Sequence, residues 1–212
     1  MMIGQYDIYS LMLAAAVISF LGFALENIWL AFRKGYMDNR NMTLPFLLGY
    51  GLLVTGIYSV IGTPEELHII IPPKMSLRSQ YIIYFLLSAV IVSIGEIILG
   101  KTVERIFGFE YWNYESLPMH ITKYTSVPTS LGFAMIITLF MGRCFPRLME
   151  YIVSFNAETV QLTALILGTA MTADFIYSFA KMYKTRSLNV CYTVYMSDIR
   201  DTLRKAKYAL KG

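Results

Sequence analysis

The run Tyr81–Gly100, YIIYFLLSAVIVSIGEIILG, holds one charged residue in twenty, Glu96. At 1.5 Å per helical residue it spans about 30 Å, the thickness of a bilayer's hydrocarbon core. A carboxylate inside such a run costs several kcal/mol unless it is paired or hydrated, so this chain folds around a reason for Glu96.

Four further apolar segments accompany it. The first runs from about Ile8 to Phe32 and is closed by Arg33, Lys34 and Arg40; the second occupies about Thr43 to Gly62. The fourth lies at about Thr125 to Gly142, with Pro128 in its first turn, and the fifth at about Val160 to Ala180. Hydrophobic residues make up 56% of the chain and charged ones 15%, against about 25% charged in soluble domains. The fold class is therefore all-α, a polytopic membrane bundle of about five transmembrane helices over residues 1–184, followed by a basic tail over 185–212. The N-terminal run lacks a basic leader and continues past signal-peptide length, so it reads as a retained span. Between the fourth and fifth spans, RCFPRLMEYIVSF places Leu148, Ile152 and Phe155 at helical spacing beside Arg143, Arg147 and Glu150. It reads either as a short helix lying in the membrane interface or as one packed on the bundle.

Five spans put the termini on opposite sides, and basic residues choose the orientation. With the C-terminus cytoplasmic, fourteen of the eighteen Lys and Arg fall inside, eight of them at or after Lys181. The outer segments then hold Lys74, Arg78, Arg143 and Arg147. The N-terminus is expected outside and the C-terminus inside, in a plasma membrane. Beside a span, a basic tail is topogenic and meets membrane lipids, so no nucleic acid partner is expected. Cys144 and Cys191 fall on opposite sides, which excludes a disulfide or thiolate metal site between them.

Three acids lie within spans: Glu26, Glu96 and Asp174. They stand seven residues before Arg33, five before Lys101 and seven before Lys181, which places all three about 7 to 11 Å below the cytoplasmic boundary. Ala15, Ser19, Gly22, Glu26 and Trp29 share one helical face, as do Ser88, Val92, Glu96, Gly100 and Glu104. Stripes with small and polar residues face other helices in membranes. The acids suit a cation path, a proton relay or recognition of a basic group, or else plain pairing: Glu26 with Arg33 or Arg40, Asp174 with Lys181, Glu96 with Lys101 or a tyrosine hydroxyl.

The cytoplasmic loops complete the candidate site. Asn39 and Arg40 precede Pro45, Gly49 and Gly51, an irregular or closely packed helix start that could line a cavity. Lys101, Glu104 and Arg105 carry the third helix to about Phe107, with Gly108 as its stop. Trp112, Asn113 and Tyr114 read as ligand-binding, or Tyr111, Trp112 and Tyr114 as an aromatic belt, and His120 as a structural histidine or, with Glu110 and Glu115, as a metal or proton-transfer site. No catalytic motif supports a hydrolase or metalloprotease, and neither metal nor cofactor is expected. The loop also suits a lipid-modifying enzyme at headgroup level, and the tail suits a regulatory or scaffold protein.

The stretches SFLGFALENIW, DNRNMTLPFLLGYG and GEIILGKTVERIFGFEYWNYESLPMHITKYTSVPTSLGF resemble the bacterial membrane family of type IV ABC-transporter proteins, the CmpB-like permeases. The resemblance covers about residues 18 to 135. Matched by motif, the family positions are Glu26, Asn39 with Arg40, Pro45 with Tyr50 and Gly51, Glu96 with Glu104, and Trp112 with Asn113 and Tyr114. Asn41, a lone Pro45 and Asn113 depart from the commoner Gly, Gly-Pro and Asp. The resemblance implies a transport subunit. Lacking a Walker motif, such a chain would need a separate ATPase subunit, and five spans would call for a homodimer or another partner.

Overall fold

The computed structural model describes residues 1–68 and 75–209, with side chains through Thr202. Pro72, Pro73 and Lys74, the tail's last three residues and the side chains of Arg204, Lys205 and Lys207 lie outside the described residues. The chain is an all-α membrane bundle. Four helical rods are long and apolar enough to cross a membrane: α1 (Ile8–Lys34), α3 (Leu77–Phe107), the continuous rod Val127–Val153, and α6 (Ala157–Thr185). A shorter apolar helix, α2, covers Leu48–Ile61. A helix α7 (Met196–Ala209) follows in the C-terminal segment.

Local chemistry sets the helix ends. Asp7 caps α1 by accepting from the Tyr9 and Ser10 amides, and Gly35 closes it in the left-handed region at φ 74°. Ser76 caps α3, and Gly108 ends it at φ 77°, where the sequence places the stop.

Two spans differ from the sequence reading. The predicted interfacial helix is the continuation of the fourth span: α4 (Val127–Leu139) passes through a π-helical turn at Phe140–Cys144 into α5 (Phe145–Val153). Pro146 sits in the first turn of α5, and its missing N–H fits the widened turn beside it. Of the face that suggested an interface, Ile152 is buried, Leu148 half-buried and Phe155 exposed. Phe145 and Met149 join Ile152 in the core, and the Phe145 ring stands 5.0 Å from that of Tyr58.

The second predicted span is helical over only fourteen residues, about 21 Å, short of the hydrocarbon thickness. Its first quarter, residues 43–47, is non-helical. Residues 39–47 run inward from the end of α1 until the Leu47 amide donates to the Ser19 carbonyl at 3.0 Å. α2 starts there, at mid-depth of α1, and continues to Tyr58, which packs on Tyr6. An inward irregular segment followed by a short helix thus takes the place of the second predicted span.

Three short antiparallel ribbons, absent from the sequence reading, dress the ends. β1 (Met2–Ile3) pairs with β2 (Tyr6–Asp7), β3 (Tyr36–Asp38) with β6 (Thr193–Tyr195), and β4 (His120–Thr122) with β5 (Thr125–Ser126). On α3 the polar stripe turns inward: Ser88, Val92 and Gly100 are buried, whereas Ile82, Leu86, Val90, Ile94 and Ile98 are exposed four residues apart. That exposed row is the apolar face such a helix offers to lipid. On α1 the inward stripe ends before Trp29, which is 63% exposed.

Candidate membrane-embedded site

Close approach at Gly22 builds the first half of the site. A Cβ there would lie 2.5 Å from the Tyr50 ring, so only glycine lets Tyr50 lie flat on α1. One turn further along, the Tyr50 hydroxyl donates to Glu26 Oε1 at 2.7 Å. The other carboxylate oxygen takes the Arg40 guanidinium at 2.8 Å. Arg40 also faces Asp38 at 3.6 Å, and its Nε is buried with no partner among the described residues. α3 repeats the arrangement: Gly100 seats Tyr124, whose hydroxyl donates to Glu104 one turn on, and Lys123 completes the pair at 2.8 Å.

Glu96 has different company. The Thr125 hydroxyl donates to it, and Ser130 and Tyr114 also face it. Among the described residues it has no salt bridge, whereas Glu26 and Glu104 each have one. Tyr114 reaches in from the 108–124 loop toward the two half-buried acids, Glu96 and Glu26. Burial, then the facing carboxylates of Glu96 and Glu26, push its phenol up to about 12, so it remains a donor at neutral pH. Burial also raises the Tyr111 phenol, to which the Asn41 amide donates at 2.9 Å.

Asp174 is spent on the backbone. Its carboxylate accepts the Thr43 amide at 3.0 Å and the Leu44 amide at 3.0 Å, with the Ser178 hydroxyl at 3.5 Å. Non-helical backbone at membrane depth needs such partners. Of the three acids, Glu26 and Glu96 both face Tyr114, and Asp174 joins them only through the 39–44 segment. Of the pairings expected from sequence, Glu26 takes Arg40 rather than Arg33 and Glu96 meets hydroxyls, Tyr114's among them, rather than Lys101; Asp174 takes backbone amides in place of Lys181.

The remaining predicted residues serve the loops. Asn39 is 1% exposed and its carboxamide is fully engaged: Nδ2 donates to the Met42 and Asn189 carbonyls, and Oδ1 accepts the Cys191 amide. Trp112 Nε1 donates to the Tyr124 carbonyl at 2.8 Å, fastening the loop to the β4–β5 ribbon. Asn113 donates to Glu110, which with Glu104 holds Lys123. His120 is exposed, with its ring nitrogen 3.2 Å from the Leu117 carbonyl. Among the described residues no three His, Cys, Asp or Glu side chains gather as a metal set. Tyr111, Thr125, Ser130 and Asn189 escaped the sequence reading as site residues, since hydroxyl and amide side chains in apolar context carry no spacing signal.

An apolar groove of about 520 Å³ lies beside this layer, between α1, α2 and α6, lined by Ala15, Ala16, Leu48, Gly168 and Ala173 among others.

A helical membrane bundle with paired acids at one end and an inward irregular segment defines a class of polytopic membrane protein. The family model described as "Putative ABC-transporter type IV" matches residues 13–179, and the chain belongs to that family. No curated protein and no solved structure matches the chain.

Proposed function

We propose that the chain is the membrane subunit of an ATP-driven transport system and that the Glu26–Tyr114–Glu96 layer receives a basic group of its cargo. The observation that carries this reading is the contrast at Glu96. Glu26 and Glu104 each hold a cation of this chain, whereas Glu96 meets only hydroxyls among the described residues. A carboxylate within an apolar helix and without a cation is an open valence for a proton, a metal cation or an ammonium group. In this reading Arg40 and Asp174 hold the segment that bounds the site. Trp112 and Asn113 fix the loop that carries Tyr114, and His120 stands outside. The subunit lies in a bacterial plasma membrane with its C-terminus and this layer on the cytoplasmic side. ATP hydrolysis comes from a separate subunit, and a homodimer supplies the remaining spans. Family membership supports the transport context, and the depth of the acids supports the site.

Radiolabelled methylammonium binding to the purified chain in detergent, with ATPase activity of co-purifying protein, tests the reading. Saturable binding that Glu96→Gln abolishes without lowering the Tm is the expected result. Unchanged binding in that variant removes Glu96 from the site.

A further inference from the structure

Arg40 and Asn41 both sit in the left-handed region, at φ 45° and 66°. Neither is glycine, and such backbone persists only where its surroundings over-determine it. Part of these surroundings, besides Asn27, Tyr111 and Asp174, comes from the far end of the chain. The Asn189 carbonyl accepts from Asn39 at 2.8 Å, the Asn189 amide donates to the Asn41 carbonyl at 3.2 Å, and the Cys191 amide donates to Asn39 Oδ1 at 2.9 Å. The ribbon then runs on, pairing Asp38 with Thr193, Met37 with Val194 and Tyr36 with Tyr195, and the Met196 amide donates to the Gly35 carbonyl.

The two partners of this clasp differ in how they are held. Asp38, Asn39, Asn41 and Met42 are buried. Of residues 187–195 only Asn189 is buried, so this segment is fixed by polar bonds with little apolar burial behind them. Segments of that kind open locally at a small fraction of the global stability. The buried, strained segment therefore depends on the exposed one.

We propose that residues 187–195 are a releasable strap and that Asn39 and Asn189 are positioning residues. While the strap is docked, Arg40 stays on Glu26 and the Thr43 and Leu44 amides stay on Asp174. When it lifts, the 36–47 segment loses the part of its restraint that fixes residues 36–41, and Arg40 is freer to withdraw. α7, which begins where the strap ends, is the element through which a cytoplasmic contact would lift it. This inference does not depend on what the acids bind.

Hydrogen–deuterium exchange of the full chain in detergent, without cargo, tests it. In Asn189→Ala, exchange over residues 36–47 should rise at least tenfold while α4 and α6 keep wild-type rates. A second variant guards against general misfolding. Met37→Cys with Val194→Cys, in a background of Cys144→Ser and Cys191→Ser, joins opposed strand positions. Its oxidised form should slow exchange over 36–47 relative to its reduced form. Exchange that rises uniformly in Asn189→Ala, or a disulfide that leaves 36–47 unaffected, overturns the strap.

Discussion

Gly51→Ala should break the contact on which the site stands. A Cβ at this position would lie 2.2 Å from the Ala15 carbonyl oxygen and 2.4 Å from the Ser19 hydroxyl oxygen. The first of these atoms belongs to a helix backbone and cannot rotate away. Ordinary contact begins at 3.4 Å, so α2 must retreat from α1 by as much as about 1.2 Å. The Tyr50–Glu26 hydrogen bond, 2.7 Å long, would then stretch to about 3.9 Å and be lost. Overpacking a close contact costs about 1–3 kcal/mol, and the rigid partner puts this substitution at the upper end. At roughly 2–4 °C per kcal/mol for a chain of this size, the Tm in detergent should fall by about 6–12 °C. Gly56→Ala in the same helix is the control, since an added Cβ there meets nothing within 4 Å and alanine is the better helix former. Equal Tm values for the wild type and Gly51→Ala would refute the α1–α2 packing described above.

Three further outcomes are expected. Asp174→Ala leaves the Thr43 and Leu44 amides without their acceptor; both are only partly buried, so the loss should be about 2 kcal/mol, with Asp174→Asn recovering about half, by thermal unfolding. In the 108–124 loop, Lys123 and then Asn113 hold the Glu110 carboxyl below the usual carboxylate range, while Glu104 and Glu110 raise the Lys123 ammonium. The Glu110 contribution is thus present above the ordinary carboxylate range and lost below about pH 4, and the Lys123 contribution is present up to about pH 10 and lost above the ordinary lysine range. Trp112 fluorescence in a Trp29→Phe background should be flat between these limits and change beyond both; a change centred near neutrality would contradict the pairing. Finally, Cys191 is free and exposed beside the C-terminal ribbon, so an impermeant maleimide should label it only after permeabilisation of the cells. Labelling of Cys191 in intact cells would contradict a cytoplasmic C-terminus.

Burial and periodicity made much of this bundle legible before any coordinates. The apolar runs mark the rods, and the small-residue stripes on α1 and α3 turn inward as their spacing requires, apart from Trp29. Gly51 is a packing glycine, but Gly49, its neighbour in sequence, faces open space. Composition cannot separate such a pair, because what decides is the atom opposite. The same limit hid the irregular segment at 43–47, where Asp174, 130 residues from Leu44, makes non-helical backbone tolerable. The amphipathic face of α5 was visible too. It fits a membrane interface and a protein interior equally well, and the choice rests on Tyr6 and Tyr58 meeting Phe145. The strap was the least legible feature, since two asparagines 150 residues apart have no local signature.

Tyr114 turns these separate contacts into one system. Its hydroxyl faces Glu96 and also lies in the field of Glu26. With Arg40 seated on Glu26, that carboxylate has its cation. With Arg40 withdrawn, neither carboxylate has one: Tyr50, Thr125 and Ser130 supply hydroxyls but no positive charge, so the layer attracts an added cation or proton. The strap that fixes Asn39 would then do more than hold a loop in shape. It would set how strongly this layer attracts positive charge, through a residue that touches neither Glu96 nor Tyr114's hydroxyl. On this logic cation affinity and strap release are linked, and each must favour the other by the same factor.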